Sequence, residues 1–120
     1  MATYSIEKLS GSTDGRGIKV AGTSSGAADT IHTATSGSGD IDLVTLWAAN
    51  LDADGETRTL TLCWGGTTSP DDLITMPVPC KVGLIPLCER MPILNSLVVK
   101  AYADEANDVV IFGRVERVDK

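Results

Sequence analysis

Ile41-Asp42-Leu43-Val44-Thr45-Leu46-Trp47-Ala48-Ala49 has the period of an extended chain, not of a helix. Successive side chains of a strand point to opposite faces, so Ile41, Leu43, Thr45 and Trp47 share one side and Val44, Leu46 and Ala48 the other. Apolar groups on both sides predict a central strand covered twice over. Asn50 to Thr57 reads as a turn. Arg58-Thr59-Leu60-Thr61-Leu62-Cys63-Trp64 then alternates again, with Leu60, Leu62 and Trp64 against Thr59, Thr61 and Cys63. The two segments are expected to form a hairpin, with Trp47 and Trp64 as core anchors at its end.

Working outward, Gly, Thr, Ser, Asn and Asp punctuate the whole chain at short intervals, and no long helical period lies between them. Ile18 to Ala21, Thr30 to Ala34, Leu73 to Val78 and Val82 to Leu87 read as further strands. Pro77 and Pro79 remove ladder donors, so the Leu73 strand is expected to lie at an edge or to end there. Arg90-Met91-Pro92 reads as a break, and Ser69-Pro70-Asp71-Asp72 as a turn or one capped helical turn. Ser96 to Ala103 and Asp108 to Val118 are expected to close the chain as a last hairpin. The sum is an all-β fold of about eight strands, a two-sheet antiparallel sandwich resembling a jelly roll. Thr3 to Leu9 alternates imperfectly and reads as an arm or a first strand, and Gly11 to Gly17 is rich in small polar residues. Residues 1–16 are therefore expected to form a flexible N-terminal arm and residues 17–120 the sandwich domain.

The chain has 120 residues, of which 42% are hydrophobic, enough for one domain to bury its own core. Ten Lys and Arg against sixteen Asp and Glu leave a net charge of −6. The basic residues are scattered and aromatics make up only 4%. That combination argues against a nucleic-acid partner, which needs clustered cations and stacking platforms, and against an anionic membrane surface. No apolar run approaches the ~20 residues of a spanning helix, and the N-terminus lacks the pattern of a secretory signal. Cys63, Cys80 and Cys88 are an odd set without close pairs, which suits synthesis where thiols stay reduced.

The motifs that could carry chemistry are incomplete. Gly22-Thr23-Ser24-Ser25-Gly26 matches the spacing of a nucleophile elbow, but no helix follows it, and His32 is the chain's one histidine. Asn50, Asp52, Asp54 and Gly55 copy the first half of a calcium loop, yet the twelfth position is Thr61 and the flanks are strands. An Asp-Gly turn is the simpler reading. The three cysteines with His32 have no metal-ligand spacing. Gly37-Ser38-Gly39 lacks the helix and Lys of a phosphate loop, and the pairs Asp71-Asp72 and Asp104-Glu105 lie in turns. No enzyme, cofactor or metal site is expected.

Four segments resemble a group of small all-β proteins encoded among the structural genes of tailed bacteriophages. They are Gly17-Ile18-Lys19-Val20-Ala21, Thr30-Ile31-His32-Thr33-Ala34, Trp64 to Ile74 (Trp-Gly-Gly-Thr-Thr-Ser-Pro-Asp-Asp-Leu-Ile) and Leu94 to Tyr102 (Leu-Asn-Ser-Leu-Val-Val-Lys-Ala-Tyr). The resemblance spans residues 17–115. It implies a virion component, foremost a head decoration (cement) protein, made in the bacterial cytoplasm and bound to the outside of the major capsid protein's shell. The acidic charge favours the outer surface over the DNA-filled interior. A tail, collar or fibre module is the alternative, and a carbohydrate-binding jelly roll a weaker one. The resemblance also implies a homo-oligomer, with a trimer favoured. Tyr4, Ile6 and Arg16 on the arm are the expected capsid or subunit contacts, so that deleting residues 2–16 is expected to weaken attachment and leave the fold intact.

Overall fold

The computed structural model describes residues 3–119. They form nine strands: β1 (Thr3–Glu7), β2 (Ile18–Lys19), β3 (Asp29–Thr33), β4 (Asp40–Asn50), β5 (Arg58–Trp64), β6 (Leu73–Val78), β7 (Ile85–Ile93), β8 (Val98–Ala103) and β9 (Val109–Asp119). One sheet runs β1-β9-β4-β7, with β2 also paired to β9; the other runs β3-β8-β5-β6, and every pairing is antiparallel. β1 and β2 occupy successive stretches of one edge, against Val115–Asp119 and Val110–Ile111. Counted as a single broken strand, they give eight positions in two four-stranded sheets, in the order of a jelly roll.

Only β5 and β6 are both consecutive and hydrogen-bonded. The expected hairpins β4–β5 and β8–β9 do not exist as such, because each link carries the chain from one sheet to the other. Local alternation shows that a segment is extended, and the two-sided apolar pattern does not say which sheet it joins. Arg90-Met91-Pro92 is likewise no break. It lies inside β7, where the register against β4 jumps from Val44–Met91 to Leu46–Cys88 and Arg90 takes φ +51°. Such a bulge lets one strand carry extra residues without ending. Pro77 sits on β6 and Pro86 and Pro92 on β7, all edge strands, as a missing ladder donor requires. Ser69-Pro70 is a cis peptide in a turn closed by Asp72 N–H to Thr68 O, with no helix.

The core lies between the sheets. Val44, Leu46, Ala48, Val109, Ile111 and Val115 from one sheet meet Ile31, Leu60, Leu62, Val78, Val99 and Ala101 from the other, all buried. The segment expected to be a free arm belongs to this body. Leu9 is buried in the core, and Gly11 N–H donates to Ile31 O, so residues 9–12 bridge the two sheets. Ser12, also buried, donates its hydroxyl to Arg16 O. A structural boundary between residues 16 and 17 is absent from the described chain.

Gly113 shows how closely these layers approach. A Cβ there would stand 2.3 Å from Thr45 O and 2.9 Å from Leu46 Cδ2, whereas one at Gly26 meets nothing. Gly113→Ala is expected to destabilise by about 2–3 kcal/mol, because the neighbour is backbone that cannot rotate away. Gly26→Ala should stay within about 0.5 kcal/mol. Urea unfolding of the two variants measures the difference.

Candidate functional site

The five-stranded sheet has an outer face as well as a core face, and register settles what stands on it. Tyr4, Val118 and Ile41 form one row across β1, β9 and β4; Ile6, Glu116, Leu43 and Pro92 form another that reaches β7. Phe112, Trp47 and Pro86 form a third, and Val110 lies beside Ala49. All of these point away from the buried Val44–Leu46–Ala48 side. Trp47 is therefore no core anchor, in contrast to Trp64, which packs against the core and donates Nε1–H to Pro92 O. The outer face of the other sheet is different in kind. It carries Thr59, Thr61, Thr75, Lys100 and Tyr102, with Thr61 and Thr75 hydroxyls 3.1 Å apart. Among the described residues one face of the sandwich is thus largely apolar and the other is suited to water.

One polar cluster interrupts the apolar face. Glu116, nearly buried, accepts from the Tyr4 hydroxyl and, at 2.7 Å, from Arg90 Nε, with Arg114 3.9 Å away. The Tyr4 hydroxyl first and Arg90 second hold the Glu116 carboxyl below its ordinary range, and the bond to Glu116 raises the Tyr4 phenol. The bulge of β7 places Arg90 here, its backbone N–H bonded to Thr45 Oγ1. Beside this cluster lies an open cavity of about 460 Å³ between β4 and β7, walled by Trp47, Pro86, Leu87 and Cys88 and rimmed by Arg114 and Glu89. Cys88 does not make it a thiol site: burial pushes its thiol up to about 11, far from a nucleophilic thiolate.

Two of the three expected contact residues fall on this face. Tyr4 and Ile6 are 56% and 64% exposed at its edge. Arg16 stands exposed in the β1–β2 loop, its backbone N–H donating to Thr13 O and its carbonyl accepting from the Ser12 hydroxyl. Trp47, Leu43 and Phe112 were missed as surface residues. Their signal was the two-sided apolarity of Ile41 to Ala49, which fits a covered strand and a docking strand equally.

The incomplete motifs resolve into structure. His32 accepts Ser10 N–H at Nδ1 and donates Nε2–H to Asp42 at 2.8 Å, so both nitrogens are engaged and neither meets Ser24. Ser25–Ala27 is a single 3-10 turn. In the calcium-like loop Asp52 accepts Glu56 N–H and Arg58 Nη2, and Asn50 donates to Glu56 O and Val78 O. Gly55 supplies the positive φ of the turn. Arg58, which also bonds Asp108 at 3.0 Å, occupies the place a cation would take. Among the described residues no group of three metal-ligating side chains converges, and no buried side-chain nitrogen or oxygen lacks a partner. No protein-family model, curated protein or solved structure matches this chain.

Proposed function

We propose that this chain is a non-enzymatic structural protein of a tailed-phage virion, a head decoration protein that binds the outer surface of the major capsid shell and stabilises it. The observation that carries the reading is the apolar outer face of the five-stranded sheet, set against a polar face on the opposite side. A protein built this way attaches in one orientation, apolar side down, and shows solvent a threonine-rich surface. The jelly roll supplies a rigid platform, and its buried polar groups hold its loops and strands together. Stabilisation follows from mass action, because a ligand that binds only the assembled shell favours assembly. The phage identity comes from the resemblance of residues 17–115.

Copy number in purified virions, measured by quantitative mass spectrometry against the major capsid protein, tests the location. A ratio near one, or a simple fraction, is expected. A handful of copies per particle would move the protein to the tail or collar, and absence would end the reading. A second test addresses the face. The double variant Leu43→Glu/Trp47→Glu is expected to bind shells about 100-fold more weakly, the scale of losing two central apolar contacts, while its far-UV circular dichroism stays that of the parent.

One observation favours a second reading. Trp47 in an open cavity beside Arg114 and Glu89 joins an aromatic platform to polar groups, the arrangement of a sugar site. Glycan-array binding that Trp47→Ala abolishes would support a carbohydrate-binding module in place of a capsid clamp.

A further inference from the structure

Each sheet has two edges, and three of the four are blunted. β6 carries Pro77. β7 carries Pro86, Pro92 and a bulge. β3 has its own bulge and is overlaid by residues 10 and 11, which bond Thr33 N–H and Ile31 O. Prolines, bulges and covering loops are the devices that keep sheet edges from pairing with other chains. β1, Thr3-Tyr4-Ser5-Ile6-Glu7, has none of them. It pairs with β9 on one side only, runs in unbroken register from Thr3–Asp119 to Glu7–Val115, and makes no backbone hydrogen bond on its other side among the described residues. Its side chains are exposed apart from a half-buried Glu7.

We infer that β1 is a self-pairing edge, on which a second copy of this chain adds its own β1 antiparallel about a two-fold axis through Ser5. The sequence of the strand is complementary to itself in that register. Ser5 meets Ser5, Tyr4 meets Ile6 of the second copy, and Thr3 meets Glu7. The central pairs are therefore aromatic with β-branched, a favourable cross-strand combination, and no like charges stand opposite. Lys8 lies beyond the last pair of described residues. The symmetry is isologous, which closes at two copies and not at the trimer that the resemblance implies. It also keeps both outer faces on one side, so the Tyr4 and Ile6 of each copy merge the two apolar faces into one continuous surface. This inference does not rest on the capsid reading. Two five-residue edges bury less than the ~1,200 Å² of a stable complex, so the dissociation constant is expected on the order of 10–100 μM.

Sedimentation equilibrium of the full chain across that range should show a monomer–dimer equilibrium. Ser5→Lys, which sets two ammonium groups face to face at an exposed position, should weaken it about tenfold or more. Ser5→Cys gives a readout that weak affinity does not obscure: mild oxidation should yield a disulfide-linked dimer, whereas Tyr4→Cys and the parent chain, treated alike, should not. A parent chain that stays monomeric throughout, a dimer that Ser5→Lys leaves unchanged, or equal cross-linking at Tyr4→Cys and Ser5→Cys would overturn the inference.

Discussion

Deleting residues 3–16 is expected to unfold most of the protein, and not only to detach it from a partner. The segment provides Leu9, fully enclosed in the core, and removing a buried leucine costs about 2–5 kcal/mol through lost transfer energy and the cavity left behind. It also provides Ser10 N–H to His32 Nδ1, the Ser10 hydroxyl to Thr33 N–H and Gly11 N–H to Ile31 O. Of the groups left without a partner, His32 Nδ1 and Ile31 O belong to buried residues and add about 1–3 kcal/mol each, while the exposed Thr33 N–H turns to water. The sum approaches the 5–15 kcal/mol by which a domain of this kind is stable at all. Circular dichroism and urea titration of the truncated chain should therefore show a largely unfolded protein. Two controls divide the effect. Leu9→Ala alone should lose about 2–4 kcal/mol. Ile6→Ser, on the exposed edge, should lose less than about 1 kcal/mol. A truncated chain as stable as the parent would show that residues 9–12 only rest on the sandwich.

That result bears on how much of the molecule its sequence discloses. Strand positions were legible because alternation is local: β4, β5, β6, β8 and β9 lie within a residue or two of where the pattern puts them. The sandwich followed from many short strands, and of the two readings Pro77 allowed, an edge or an end, the structure shows the edge. What was not legible is long-range. Leu9 looks like one apolar residue after a weak strand, and its burial depends on Gly11 reaching Ile31 across the sandwich. The assignment of Trp47 to the outside depends on β4 and β5 joining different sheets, which neither segment encodes alone. The bulge in β3 is a further case. It turns both Ile31 and His32 inward, against strict alternation, and so creates the partner that Asp42 needs. Tyr4 and Ile6, the expected contact residues, are exposed on an edge strand and not on a free arm. Arg16 is exposed in the β1–β2 loop, next to Gly17, which packs against Val110 and Phe112.

The apolar outer face and the clamp beneath it are built on the same strands, which separates stability from the proposed recognition. Outward positions of β4 and β9 hold Leu43, Trp47 and Phe112; the inward side of these strands holds Asp42 and Arg117. A substitution on one side can therefore be read for binding and on the other for folding.

Asp42→Ala should be the most damaging single substitution, at about 3–5 kcal/mol, because it strands two partners at once. Asp42 is fully buried and receives Arg117 Nε at 2.7 Å, Arg117 Nη2 at 3.1 Å, His32 Nε2 at 2.8 Å and Thr35 N–H at 3.0 Å. One carboxylate thereby joins β3, the β3–β4 turn, β4 and β9, and ties the two sheets together. Burial by itself would raise the Asp42 carboxyl, but the bonds from Arg117, His32 and Thr35 outweigh it and hold it below its ordinary value. The sign of the pH dependence follows. A carboxyl depressed in the folded state contributes fully above its unfolded value of ~3.9, and the contribution is lost as pH falls through the folded value. Glu116 and Asp52, both depressed, act in the same direction. Asp40, raised first by its bond to Asp119, acts in the opposite one, but it is half-exposed at the end of β4 and its share is small. Stability is expected to be flat from pH 7 to about 5 and to fall steeply below about 4. Asp42→Asn removes the charge while keeping the shape, so its urea midpoint should be lower than the parent's at pH 7 and less sensitive to acid. If the two proteins lost stability in parallel below pH 4, Asp42 would not be the group that titrates, and the clamp would hold by packing and hydrogen bonds alone.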